Sequence, residues 1–270
     1  MPQRALLEVC VESVEGVIAA QTGGADRAEL CVNMLEGGTT PSAGLLALAR
    51  RQARIPLHAM LRPRGGDFLY SELEFAVMRH DVKVVRDCGV QGIVCGILTE
   101  DGRVDRKRME KLVRLARPLG VTCHRAFDMC RDPFEALEDL IAVGVERVLT
   151  SGQRRSAMDG LGVLAKLVEH ARGRISIMPG GGIKAADVKT ILQSSQAREV
   201  HANPAATGDS PMQFRNRLVS MNSNLKPAEY TRTCASRKRV RAFADQVAAA
   251  FVEMNQEQPL VRAAQGTPRL

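Results

Sequence analysis

The chain has no tryptophan, and aromatic residues make up only 3% of its 270 positions. Its core must therefore be aliphatic, built from Val, Ile, Leu and Ala, which suits parallel strands buried on both faces. No apolar run approaches the roughly 20 residues that cross a bilayer, and the opening MPQRALLEVCVE lacks the long apolar centre of a secretory signal. A cytoplasmic protein with no membrane partner is expected. Nucleophile elbow, P-loop, HExxH and paired CxxC are all missing, which removes the commonest signatures of hydrolases and zinc sites. The cysteines number seven, an odd count without the dense spacing of a disulfide scaffold, so thiols in a reducing compartment are expected. Such thiols serve as core, nucleophile or metal ligand.

What is present points to a folded domain, with 45% hydrophobic and 25% charged residues. The formal charge of +8 is spread along the chain and interleaved with Asp and Glu. Its one dense run, Arg237, Lys238, Arg239 and Arg241, reads as a solvated helix face, with a nuclear signal or anionic-partner patch as the alternative. Nucleic-acid binding is not expected.

Short apolar runs alternate with segments of helical periodicity, the pattern of a parallel sheet wrapped by helices. Eight strands are predicted: Leu6 to Val11, Arg27 to Cys31, Leu57 to Leu61, Gly92 to Gly96, Val121 to His124, Arg147 to Leu149, Ile175 to Met178 and Glu199 to Ala202. The fold class is α/β, a (β/α)8 TIM-type barrel in a single domain, with a doubly wound sheet as the alternative. Thr40-Pro41-Ser42 and Asp132-Pro133 read as helix starts, and Gly24, Gly89, Gly120 and Gly144 as returns from helix to strand. The barrel is placed at 1–220, with a closing helix at Met212 to Leu218, a helical extension at 221–254 and a mobile tail at 255–270.

Function in such a barrel gathers at the carboxyl ends of the strands. In the first strand Leu7, Val9 and Val11 face one side and Glu8, Cys10 and Glu12 the other. Helices cover the outside, so the charged side is interior; Glu29 and Cys31 repeat the arrangement in the second strand. Buried carboxylates are costly unless paired, which points Glu8 and Glu29 at Arg62, Arg64 or Arg125. An ion-pair network and a polar pocket for an anionic or polyhydroxylated molecule both fit. Asp67 stands with these arginines. Three glycines, Gly180, Gly181 and Gly182, precede a helix and offer either a tight turn or a phosphate cradle. The acid and base candidates are His124, Asp128 and Glu8, with His201 behind them.

Cys10 and Cys31 fall on adjacent strands facing one interior, where two soft thiolates could form a linear Cu(I) site; small core side chains are the plainer alternative. Cys123, His124, Asp128, Met129 and Cys130 form a second ligand-rich stretch, weakened because Cys123 and His124 face opposite sides. Cys88, Cys95 and Cys234 read as structural.

The segments LLEVCVES (6–13), GGADRAELC (23–31), EGGTTPS (36–42), RPRGGDFLYS (62–71), HRAFDM (124–129), RVLTSGQ (147–153) and MPGGGI (178–183) resemble those of the CutC family in order and spacing. The resemblance runs from about residue 5 to 220, and more weakly to about 253. It implies a TIM-type barrel, a cytoplasmic homo-oligomer (dimer or tetramer) and a part in copper homeostasis through Cu(I). Cys10 and Cys31 match the cysteines of the family's EVC and ELC motifs. The charged mouth carries over to Glu8, Glu29, Arg62, Arg64, Asp67, His124, Arg125 and Asp128. One departure is His201-Ala202-Asn203-Pro204, where the family would have a small, serine-containing segment. The competing expectation is an enzyme acting on a small anionic or sugar-like substrate, phosphorylated or not, through His124, Asp128 and Glu8.

Overall fold

A computed structural model describes residues 4–216, 218–219 and 229–264, with side chains through residue 253. Eight parallel strands form a nearly closed barrel in the order β7-β6-β5-β4-β3-β2-β1-β8. They are β1 (Leu6–Val11), β2 (Arg27–Leu30), β3 (Leu57–Met60), β4 (Gly92–Cys95), β5 (Gly120–Cys123), β6 (Arg147–Thr150), β7 (Ser176–Pro179) and β8 (Glu199–Ala202). Each sits within two residues of its predicted place. Their residues are buried almost throughout, because side chains on one face meet helices and those on the other meet the barrel interior.

The helices follow their strands in turn: α1 (Val14–Gly23), α2 (Ala43–Gln52), α3 (Glu72–Asp87), α4 (Arg106–Ala116), α5 (Pro133–Ala142), α6 (Leu161–Ala171) and α7 (Val188–Ser195). Side chains of Ser13, Ser42, Ser71, Asp105 and Asp132 accept backbone N–H groups at the helix starts, satisfying donors that a helix leaves unpaired. At the returns, Gly24, Gly89 and Gly144 adopt positive φ, as a helix end requires. Gly120 does not: it is the first residue of β5, where a Cβ would lie 2.9 Å from the Glu146 carboxylate.

The end of the chain departs from expectation. No helix forms among the described residues of Met212 to Leu218. Instead β9 (Ala205–Asp209) and β10 (Thr231–Ala235) pair antiparallel, and α8 (Arg237–Ala264) follows. Val240, Phe243, Val247 and Ala250, spaced as one helical face, join the main core. α8 packs between α1 and α7. The segment expected as an extension therefore completes the helical ring, and the barrel cannot be bounded at residue 220. The helix also runs past Met254 to Ala264, so the tail expected at 255–270 is displaced; residues 265–270 lie outside the described residues.

β7 and β8 adjoin, yet no hydrogen-bonded ladder joins them among the described residues. Ser176 Oγ donates to Glu199 across this seam at 2.9 Å.

Candidate metal and ligand site in the barrel mouth

Parallel register decides which side chains meet. Cys10 of β1 stands opposite Glu29 of β2, and the chain leaving β2 brings Cys31 alongside. The two Sγ atoms are 3.3 Å apart. A 3-10 turn at Met34–Glu36 adds a third sulfur: Met34 Sδ lies 3.4 Å from Cys10 Sγ and 3.2 Å from Cys31 Sγ. That turn is fixed on both sides. Met34 N–H donates to Glu12 Oε1 at 3.0 Å, and Asn33 enters with φ 58°. Gly38, at φ 91°, lets the backbone lie against the cluster; a Cβ there would meet Cys31 Sγ and Met60 Cε at 3.4 Å. Cys10, Cys31, Met60 and Val94 make a small apolar cluster separate from the main core. Hydrogen bonding with Cys31 and burial raise the Cys10 thiol well above its ordinary range, so it is protonated at neutral pH without a metal.

Below the sulfurs lies a layer of buried charge. Glu8 pairs with Arg27 Nε and accepts from His201 Nδ1 at 2.8 Å. Burial alone would raise the Glu8 carboxyl, but Arg27 and His201 hold it well below the usual carboxylate range. Glu199 receives Arg27 at 2.5 Å and Arg147 Nε at 2.5 Å. Burial pulls His201 down, but Glu29 and the bond to Glu8 outweigh it and leave the ring raised. Glu29 is pushed up to about 7 by burial, partly offset by His201 at 3.8 Å. Its Oε2 has no hydrogen-bond partner among the described residues.

Above both layers opens a cavity of about 590 Å³, inside the range that holds small ligands. It is lined by Cys10, Glu29, Met34, Met60, Arg62, Phe68, His124, Arg125, Asp128, Leu149, Gly181, Gly182, Ile183 and His201, among others. The predicted residues separate into those that reach it and those that do not. Arg62 lines it, but spends its Nη atoms on the carbonyls of Glu36, Gly38 and Gly66 and stacks over Phe68 at 5.0 Å. Arg64 and Asp67 stay outside, paired at 3.0 Å on the surface loop after β3, with Arg64 also on Glu74. Glu8 is sealed beneath. Gly180 is outside too: it is buried, and a Cβ would lie 2.4 Å from Leu149 Cδ1.

The expected cations for the two glutamates are thus replaced. Arg62, Arg64 and Arg125 do not pair with Glu8 or Glu29; Arg27 and His201 do, because strand register sets Glu8 opposite both. His124 and Asp128 line one cavity without pairing. His124 Nδ1 accepts Ala126 N–H at 3.1 Å, its Nε2 has no partner, and burial, then Arg62, pushes the ring down to about 3. Asp128 receives Arg125 Nε at 2.7 Å, Thr150 Oγ1 at 2.5 Å, and Ser151 and Gln153 N–H groups. In the second ligand-rich stretch, Cys123 is buried in the main core and Met129 is exposed. The described residues yield two candidate metal groups, Cys10 with Glu29 and Cys31, and Glu8 with Glu29 and His201.

Met34, Arg27 and Glu199 are among the participants that escaped the sequence reading. Met34 stands three residues after Cys31, a spacing visible in the sequence but outside strand alternation. Arg27 and Glu199 share the inward rows of Glu29 and His201, so period two extended by one step would have found them.

Comparison with known proteins now bears on this site. A model of the CutC family matches residues 5–206. The copper homeostasis protein cutC homolog of Homo sapiens is 49% identical over 238 residues, 88% of this chain and 87% of the relative. A CutC family protein of Chromobacterium violaceum is also 49% identical, over 88% of this chain and 96% of its own. Among solved structures, a CutC protein of Streptococcus agalactiae superposes with a TM-score of 0.70 at 32% identity, covering 73% of this chain and 97% of that one.

Proposed function

The chain belongs to the CutC family, and from that premise we propose that it serves copper homeostasis by holding Cu(I) on the thiolates of Cys10 and Cys31, with Met34 as third donor. The observation that carries this reading is the triangle of sulfurs with sides of 3.2–3.4 Å at the floor of the cavity. Two thiolates and a thioether are a soft donor set, suited to Cu(I) and poor for hard cations. Zinc in a closed site takes four ligands and rarely a thioether, and the neighbouring Glu29 carboxyl is pushed up to about 7. The third sulfur also changes the expected geometry: a linear two-sulfur site is replaced by a three-coordinate one. Three sulfurs each about 2.3 Å from one ion stand about 4 Å apart, so the resting contacts of 3.2–3.4 Å must all open slightly on binding.

The same reading keeps the protein in the cytoplasm with reduced thiols. No helix of the described residues is long and apolar enough to cross a membrane. Exposed apolar side chains on α2 and α3, Leu48, Leu73 and Val77, support self-association.

The test is anaerobic titration with Cu(I) against a competing chelator. One Cu(I) per chain is expected, lost in Cys10→Ser/Cys31→Ser and weakened about tenfold in Met34→Leu. Unchanged affinity in the double serine variant sinks the assignment. Equal affinity for Zn(II) in parent and Met34→Leu would instead make this a zinc site.

A further inference from the structure

Another part of the same cavity's wall is built differently, and copper uses none of it. After β7 the chain turns through Gly181 at φ 99° and Gly182 at φ 67°. The backbone N–H groups of Gly181, Gly182 and Ile183 donate to nothing among the described residues. Successive free N–H groups in such a turn form a concavity for an anion. Arg125 lies directly on it. A Cβ on Gly181 would stand 3.1 Å from Arg125 Cζ and 3.2 Å from Nη1, so glycine is required for the guanidinium to rest against the turn. Arg125 gives Nε to Asp128 and Nη2 to Ser151 Oγ at 3.0 Å, leaving Nη1 beside the free N–H groups. The Asp128 charge does not oppose an anion there, because Arg125, Thr150, Ser151 and Gln153 all donate to it.

A second observation concerns another residue of the cavity and is independent of the turn. His124 is 3% exposed and lines the cavity. Its Nδ1 accepts a backbone N–H, so the neutral ring carries its proton on Nε2, and that donor has no acceptor among the described residues. A buried donor left unpaired costs about 1–3 kcal/mol. An oxygen from a bound molecule would relieve it. The lining also includes the apolar side chains of Leu149, Met60 and Phe68.

We propose that the barrel mouth binds a small phosphate monoester: the phosphoryl group on the N–H groups of Gly181, Gly182 and Ile183 and on Arg125 Nη1, and a hydroxyl or carbonyl oxygen at the other end on His124 Nε2. The phosphate end supplies affinity through charge-assisted hydrogen bonds, and the His124 end selects an ester over the free anion. This site stands on residues separate from the sulfur triangle, so it holds whether or not Cys10 and Cys31 take copper.

The experiment is calorimetric or phosphorus-NMR titration of the full, metal-free, reduced chain with inorganic phosphate, glycerol 3-phosphate and ribose 5-phosphate, with glycerol and ribose as uncharged controls. Saturable binding of one phosphate probe per chain is expected, with an ester tighter than inorganic phosphate and no binding of the controls. Arg125→Gln should weaken binding at least tenfold, while Arg64→Gln, which removes the same charge from outside the cavity, should leave it unchanged. Gly182→Asp keeps Arg125 but sets a carboxylate at the turn and should abolish binding; an unchanged thermal midpoint would show that the fold survives. His124→Phe should bring the esters down to the affinity of inorganic phosphate. Cys10→Ser/Cys31→Ser should bind phosphate as the parent does, which separates this proposal from the copper site. Absence of saturable binding of every phosphate probe overturns the proposal, as does an equal loss in Arg125→Gln and Arg64→Gln.

Discussion

His124 shows how burial converts a residue type that suggests proton transfer into something else. At full burial the ring is pushed down to about 3, so it stays neutral through the physiological range and donates from Nε2. The linkage has a definite sign. An unfolded histidine titrates near its ordinary 6.5, while the folded one stays neutral until about pH 3, so the unfolded chain binds more protons between those values. His124 therefore costs stability progressively as pH falls from about 6.5 towards 3. Thermal midpoints of His124→Gln and the parent, compared from pH 7.5 to 4.5, should converge or cross on the acid side, with the variant losing less. His58, pushed by burial to about 4, contributes in the same direction and remains in both proteins. A difference between the two that does not change with pH would mean that the folded ring takes up its proton over the same range as the unfolded one. Cys10 and Cys31 were legible because alternation puts every second residue of a strand inside. The partners of Glu8 were not, since a single sequence does not show how strands align, and alignment is what sets Arg27 on one side and His201 on the other.

Two helix starts were legible from the chemistry of their ends, Ser42 after Pro41 and Asp132 before Pro133, and the eight strands stand out as short aliphatic runs. The closing helix expected at Met212 to Leu218 has no face to bury: Phe214 and Leu218 are exposed, while the closing position is taken by α8. Packing between α1 and α8 gives a sharp prediction at the level of single helices. A Cβ on Gly23 would stand 2.5 Å from Val240 Cβ and 3.1 Å from the Arg237 carbonyl oxygen, so the two helices cross at this glycine. Gly23→Ala forces them apart and should destabilise by about 1–3 kcal/mol. Gly44, inside α2, has nothing within 4 Å of its own Cβ position. Gly44→Ala should stabilise by about 0.5–1 kcal/mol, the difference in helical cost between the two residues. Denaturant midpoints measure both, and equal shifts in the two variants would contradict the close crossing.

At the scale of the whole molecule, the ring is closed by a helix that follows the eighth strand only after a two-stranded excursion. Val240, Phe243, Val247 and Ala250 cover the barrel between α1 and α7, against β1. Burying three large apolar side chains is worth about 1.5–3 kcal/mol each, so this one face contributes roughly 5–9 kcal/mol. A domain's total stability is only about 5–15 kcal/mol. A chain ended after Ser236 should therefore fail to fold cooperatively and recover in aggregates. A chain ended after Met254 keeps all four buried residues, together with Glu253 on Lys189 at 2.7 Å and on Gln193 at 3.0 Å. It should unfold in one transition near the parent's midpoint and take up Cu(I) as the parent does. Circular dichroism through a denaturant series distinguishes the two truncations. Cooperative unfolding of the shorter chain at the parent's midpoint would show that α8 is an appendage, as the expectation of a C-terminal extension had it, and that the barrel closes without it.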